Sequence, residues 1–188
     1  MKMPKIAEIE DTPNPNAVKF LLREPITWGI SRSYDNAEEA KEDPLAAALF
    51  AIEHVTNVFY VDKCVTITQD GKAHWPQLAR LIAVPLREAP AAEASSEALV
   101  AAAAVVIAGL SPEDQERFDK INAMLDEKIR PYLRSDGGDL HVVGFSGNFL
   151  SVHLQGACGS CPSSISTTLI SITNLLRTIE PEIEILSV

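Results

Sequence analysis

Cysteine is scarce in this chain: 188 residues hold three, Cys64, Cys158 and Cys161. Three thiols cannot make the disulfide framework of a small secreted domain, and the odd count fits a reducing compartment. Basic residues are also few, 16 Lys and Arg against 26 Asp and Glu, for a formal net charge of −10. That leaves no basic footprint for nucleic acid or for an anionic membrane surface, so neither is expected as a partner. Long apolar runs are missing too. The most apolar stretch, residues 98–110 (ALVAAAAVVIAGL), falls well short of the ~20 residues a membrane-spanning helix needs. The first residues, MKMPKIAEIEDTPNPN, have no apolar core of a secretory signal and no Arg- and Ser-rich, acid-poor composition of a transit peptide. On these grounds a cytoplasmic location is expected. No GxxxxGK[ST] loop occurs and no Ser-His-Asp pattern can be drawn, so nothing points to nucleotide hydrolysis or acyl transfer.

With 46% hydrophobic residues the chain can bury a core. Its length allows one large or two small domains, and composition supports two. Half of positions 89–108 are alanine, with one proline and no glycine. Residues 89–110 therefore read as an Ala-rich linker, helical in part from near Ser95 or Ser96 to Gly109, or as a spacer packed against one of the domains.

Residues 1–88 read as a small α+β domain. Val18, Phe20 and Leu22 alternate with Lys19 and Leu21 after the turn residues Pro13-Asn14-Pro15-Asn16, which predicts a half-buried strand. Asp43-Pro44 is a helix start, and the helix runs on through Ile52. Two β-rich runs, 55–61 and 64–68, flank Asp62-Lys63 as a hairpin. Trp75-Pro76 opens a second helix that presents Leu78, Leu81, Ile82 and Leu86.

Residues 111–188 predict the order αββαβ, two helices on one face of a three-stranded sheet. Ser111-Pro112-Glu113-Asp114 caps a helix whose Phe118, Ile121, Leu125 and Ile129 make one apolar face, broken by Asp136-Gly137-Gly138-Asp139. Strands follow at 140–145 and 149–155 around Ser146-Gly147-Asn148. A second amphipathic helix carries Ile165, Leu169, Ile172, Leu176 and Ile179, and PEIEI makes a closing strand.

Between the hairpin and that helix lies Cys158-Gly159-Ser160-Cys161-Pro162. Pro162 is expected at the first helical position, which puts Cys161 at a helix N-terminus, where free N–H groups and the dipole favour a thiolate. Two thiolates at this spacing can bind one soft metal centre. Gly159 lets the backbone turn between them, and the hydroxyls of Ser160, Ser163 and Ser164 could donate to thiolate or inorganic sulfide. Common iron–sulfur clusters take four cysteines and structural zinc takes four Cys or His. One chain supplies two, so either it adds ligands of its own or two chains share one centre.

Cys64, the remaining thiol, sits in the strand-like run VDKCVTIT, where cysteine serves as a small buried hydrophobe. His141 and His153 face each other across a hairpin centred on Gly147 and could complete a Cys2His2 zinc site. His153, however, stands roughly 16 Å of extended strand from Cys158. A reversible dithiol is the stronger competitor, because thioredoxin-like sites also place CxxC at a helix N-terminus. In such folds the motif follows an early strand of a βαβ unit; here it follows a hairpin near the end of the chain.

Residues 130–165, RPYLRSDGGDLHVVGFSGNFLSVHLQGACGSCPSSI, resemble the C-terminal domain of the NifU-like (Nfu) family of iron–sulfur cluster scaffold and carrier proteins. The likeness runs on through PEIEI, and DGGD, a hairpin and LQGACxxCPSS in this order are specific. Residues 9–87 look like the family's N-terminal domain, on DTPNPNAVKF, on the run from Asn36 to Thr68 and on Trp75. The resemblance implies that Cys158 and Cys161 from each of two subunits hold a [4Fe–4S] cluster at a homodimer interface. It also implies upstream assembly proteins as the source and apo iron–sulfur proteins as the recipients. Asp136, Gly137, Gly138 and Asp139 match the family's turn and are read as structural. Three readings remain: a non-enzymatic cluster carrier, a CxxC thiol–disulfide oxidoreductase, and an interaction adaptor whose CxxC binds zinc or nothing.

Overall fold

The structure, a computed structural model, describes residues 4–92, 110–160 and 162–188, without the side chains of residues 162–164. The helix expected between Ser95 and Gly109 and the thiol of Cys161 lie outside the described residues. The chain divides into two compact units, Met1–Ala104 and Val105–Val188, each α+β as expected from the sequence. Among the described residues no helix is long and apolar enough to cross a membrane.

The first unit is built on five antiparallel strands, β1 (Ile6–Asp11), β2 (Ala17–Leu22), β3 (Arg32–Tyr34), β4 (Val55–Val61) and β5 (Cys64–Gln69), ordered β1-β2-β5-β4-β3. Two helices, α1 (Pro44–Phe50) and α2 (Trp75–Glu88), share its core, where Phe20, Leu49, Ile67, Ile82 and Leu86 are fully buried. Asp43 starts α1 by accepting hydrogen bonds from the N–H groups of Leu45 (3.1 Å) and Ala46 (3.0 Å) on Oδ1. Its Oδ2 accepts from Arg32 Nη1 (2.7 Å), from the Tyr34 hydroxyl (3.0 Å) and from the Tyr60 hydroxyl.

Several expectations change here, the first being that α1 stops at Phe50 rather than running on through Ile52. β2 is a central strand between β1 and β5 rather than half-buried, and Lys19 is enclosed with its ammonium 2.6 Å from Glu10. Leu81 is exposed, because the buried face of α2 repeats at Leu78, Ile82 and Leu86. β1 was not foreseen, since Ile6 and Ile9 do not alternate. A bulge between Ile6 and Glu8 brings them opposite Leu22 and Phe20, on one face, despite the odd spacing.

The second unit runs α3 (Pro112–Lys128), α4 (Arg130–Ser135), β6 (Gly138–Ser146), β7 (Phe149–Gly156), α5 (Pro162–Leu176) and β8 (Glu184–Ser187). Its sheet has the order β6-β7-β8, antiparallel between β6 and β7 and parallel between β7 and β8. Phe118, Ile121 and Leu125 of α3 and Ile172 and Leu176 of α5 are buried against Leu150 and Val152 in one core.

The first helix breaks earlier than expected, at Ile129 rather than at the glycines. Pro131 has no N–H to give the preceding turn and its ring would crowd the carbonyl there, so a separate short helix begins at Arg130. α5 ends at Leu176, which leaves Ile179 beyond it and 37% exposed. The β6–β7 turn is the two-residue Gly147-Asn148, since Ser146 pairs with Phe149. A bulge at Val143 then shifts the register, and only through that bulge do His141 and His153 become partners.

Candidate metal centre

The site is assembled where two chain reversals meet. α4 ends at Ser135, and the chain turns at Gly137, whose φ is +81° and whose N–H donates to Arg134 O (3.2 Å). The chain then enters β6 at Gly138, the register partner of Gly156 at the end of β7. From the second reversal, the Ala157 N–H donates to Gly137 O (3.1 Å), and the Gly159 N–H (3.1 Å) and Ser160 Oγ (3.2 Å) both donate to Gly156 O. The Ser160 hydroxyl thus closes its own loop.

Cys158 lies on top of Gly138. A Cβ added at Gly138 would come 2.8 Å from Cys158 Sγ and 2.6 Å from Gln155 O, closer than real Cβ contacts allow. One at Gly159 would fall 2.2 Å from Leu154 O. These two glycines are therefore demanded by close approach, and Gly138 forms a floor without a side chain under the sulfur. Cys158 is 6% exposed and joins the core of the unit. Among the described residues no hydrogen bond reaches its Sγ.

Burial pushes the Cys158 thiol up to about 11, with the carboxylates of Asp136 and Asp139 adding to the effect. At neutral pH Cys158 is accordingly a thiol, and a metal that takes it as thiolate must displace its proton. This is the opposite of an exposed, low-pKa redox cysteine. Cys161, the residue expected to gain from the helix N-terminus, is outside the described residues, as are the side chains of Ser163 and Ser164.

The turn beneath the sulfur is braced by Asp139, which is 1% exposed. Its Oδ2 accepts from Arg134 Nε (3.1 Å) and lies 3.0 Å from Arg134 Nη2, while Oδ1 accepts the Leu140 N–H (2.8 Å). Neither arginine near the turn was singled out from the sequence. The available signal was local, Arg130 and Arg134 at a spacing of four on one helix face with an acid beyond the glycines.

The other candidates stand apart. His141 and His153 are register partners, and the His153 ring nitrogen Nδ1 is 2.9 Å from Val188 O. Burial lowers the His141 pKa. Among the described residues no three His, Cys, Asp or Glu side chains gather as metal ligands, so Cys158 does not meet the two histidines. Cys64 opens β5 in the first unit, half-buried, its Sγ 3.9 Å from Thr66 Oγ1, and burial raises its pKa.

Comparison with known proteins adds the following. Residues 6–92 match the family described as scaffold protein Nfu/NifU N terminal, and residues 121–186 match the NifU-like domain. The chain is 34% identical to the NFU1 iron-sulfur cluster scaffold homolog, mitochondrial, of Homo sapiens over 94% of its own length and 69% of the relative's. The relative of the same name from Drosophila erecta is 32% identical over 94% of this chain and 62% of its own. A solution structure of a NifU-like protein from Saccharomyces cerevisiae aligns at 27% identity over 47% of this chain and 79% of its own, with a TM-score of 0.42.

The cytoplasmic location expected from the sequence is corrected by these relatives, which are named mitochondrial. That expectation rested on what the first residues lack. The relatives extend beyond the matched region, and this chain spans 62% to 69% of their length, so its opening residues do not decide the matter. With matches over residues 6–92 and 121–186 and a relative 34% identical across 94% of the chain, the protein belongs to the Nfu/NifU family of iron–sulfur cluster scaffold proteins.

Proposed function

We propose that the protein carries an iron–sulfur cluster as cargo, a [4Fe–4S] cluster held by Cys158 and Cys161 from each of two copies, and passes it to apo iron–sulfur proteins. Upstream assembly proteins load it, and it performs no catalysis of its own. Residues 111–188 are the cluster-binding part, residues 1–88 the part that engages other proteins, and residues 89–110 the linker between them.

The observation that carries this reading is the setting of Cys158. Its sulfur rests on a glycine floor beside a backbone-bonded loop, without a hydrogen-bond partner among the described residues. A soft sulfur in such a place has unmet bonding capacity, and the close fit on Gly138 fixes where it sits. Two cysteines per chain fall short of the four ligands a cubane takes, so a second copy completes the set. Binding is then coupled to pairing, and the edge of the cluster stays reachable for an incoming thiolate. The linker would hold a docked client near the cluster and raise the effective concentration of donor.

The dithiol alternative is disfavoured by the same setting. A thiol that is 6% exposed and raised to about 11 gives little nucleophilic thiolate at neutral pH.

The test is anaerobic reconstitution of the full chain with iron, sulfide and a thiol reductant, followed by transfer to an apo acceptor. The expected outcome is a broad absorption near ~400 nm and about two irons per chain. Cys158→Ala and Cys161→Ala should lose both, whereas Cys64→Ala should keep them. A colourless chain that cycles between dithiol and disulfide would refute the reading.

A further inference from the structure

We propose that the ion pair between Arg134 and Asp139 is a positioning device that holds Cys158 in its buried place. The pair does not touch the sulfur; it acts through the turn that the sulfur rests on.

Arg134 is in the last turn of α4 and Asp139 is the second residue of β6, so their side chains close the segment 134–139 into a ring. Arg134 places both Nε and Nη2 on one oxygen of Asp139, at 3.1 and 3.0 Å, and the other oxygen takes the Leu140 N–H. The Asp139 side chain is 2% exposed and that of Arg134 39%, so the carboxylate end of the bridge is out of water. A buried carboxylate held this way is costly to release, which stiffens whatever the ring encloses.

The ring encloses the two groups that seat the cysteine. Gly137 O accepts the N–H of Ala157, the residue before Cys158, and Gly138 is the floor beneath Sγ. Arg130 secures the same corner from the neighbouring turn, donating from Nε to Leu140 O at 3.2 Å. Opening the ring frees Gly137 and Gly138 to move, and the cysteine loop loses its hydrogen bond and its contact together. The guanidinium matters, because lysine keeps the charge but cannot donate from an Nε–H while holding a second nitrogen against the same oxygen.

The first readout needs no cluster. Full-length, reduced, metal-free protein is alkylated with iodoacetamide at fixed pH, and the rate at Cys64, Cys158 and Cys161 is read peptide by peptide. Arg134→Gln is the informative variant because it opens the ring while Arg130, whose Nε lies 3.9 Å from Asp139 Oδ1, keeps a cation beside the carboxylate. A change at Cys158 then reports the position of the loop rather than the loss of every countercharge. If the pair positions the loop, Cys158 reacts about tenfold faster, the scale on which supporting interactions act at metal sites. Cys64, in the other unit, stays unchanged as the internal control, and Arg134→Lys falls between the two.

A rate at Cys158 that is unchanged or slower in Arg134→Gln overturns the proposal. So does an equal acceleration in Leu150→Ala, a core variant of the same unit, because the pair would then contribute only general stability. Hydrogen exchange separates the cases: local opening deprotects the amide of Ala157 and spares those of Leu150 and Val152.

A second readout rests on the cluster-carrying reading. In reconstituted protein the cluster should pass to a chelator about tenfold faster in Arg134→Gln than in the unaltered chain. If no chain takes up cluster, the carrier reading fails while the alkylation rates still decide the role of the pair.

Discussion

Asp43 in the first unit and Cys158 in the second have the same exposure, 6%, and both stand within a few residues of a helix start. Their surroundings differ completely. Asp43 takes hydrogen bonds from two helix N–H groups, an arginine and two tyrosines, which occupy both oxygens. Burial alone would raise its pKa, but the bonds from Tyr60, the Ala46 N–H, Arg32 and Tyr34 outweigh it and hold the carboxyl below its ordinary value. Cys158 has neighbours without complementary groups, a glycine floor and two carboxylates, and its thiol is raised to about 11. Burial by itself therefore does not mark a functional group. What separates the two is bonding capacity: complete at the carboxylate, which fixes a fold, and open at the sulfur, which can take a stronger partner.

The sharpest way to break this comparison is Asp43→Ala. It should cost the first unit about 3 kcal/mol, from the lost cap and from buried donors left without an acceptor. Both tryptophans, Trp28 and Trp75, lie in that unit, so denaturant unfolding followed by tryptophan fluorescence reads the loss directly. Cluster content after reconstitution should be unaffected. A variant that unfolded neither unit would mean that Asp43 is not structural.

Gly138→Ala is the converse, with an expected cost of about 2 kcal/mol to the second unit, since the added methyl meets a carbonyl oxygen and the sulfur. Hydrogen exchange in β6 and β7 should rise and iron loading should fall, while tryptophan fluorescence reports an unaltered first unit.

A smaller effect is expected on the pH axis in metal-free protein. The Asp43 pKa is lowered on folding, so the stability it contributes is present above its unfolded value of about 4 and fades as pH falls through the lower folded value. The Cys158 pKa is raised, so its contribution is present below its unfolded value and is lost as pH rises towards about 11. Acid should weaken the first unit and alkali the second. Asp43→Asn should flatten the acid limb and Cys158→Ala the alkaline limb, each in its own unit only.

Much of this was legible along the chain, and the remainder was hidden for identifiable reasons. Ser111-Pro112 and Asp43-Pro44 marked helix starts because caps are local chemistry, and both side chains accept the expected N–H groups. The faces of α3 and α5 followed from spacing. The strand β1 was concealed by its bulge, which breaks alternation, and Leu81 was assigned to the buried face because a spacing of three is as helical as one of four. The earlier break at Ile129 was written in Pro131 but overshadowed by the glycines that follow.

At the site, the pair of cysteines could be picked out because a metal needs ligands at short spacing. The burial of Cys158, the glycine beneath it and the Arg134–Asp139 pair could not, since each depends on two distant segments meeting. His141 and His153 show the same limit from the other side. Their pairing was expected from a turn centred on Gly147, but it arises from a shorter turn offset by a bulge.

The central claim is that two chains share one cluster through their cysteines, and native mass spectrometry of the anaerobically reconstituted full chain tests it most directly. The account predicts a species of two chains plus the mass of four irons and four sulfides, absent in Cys158→Ala. A single chain that binds the cluster, or a pair of chains equally populated without it, would contradict the account.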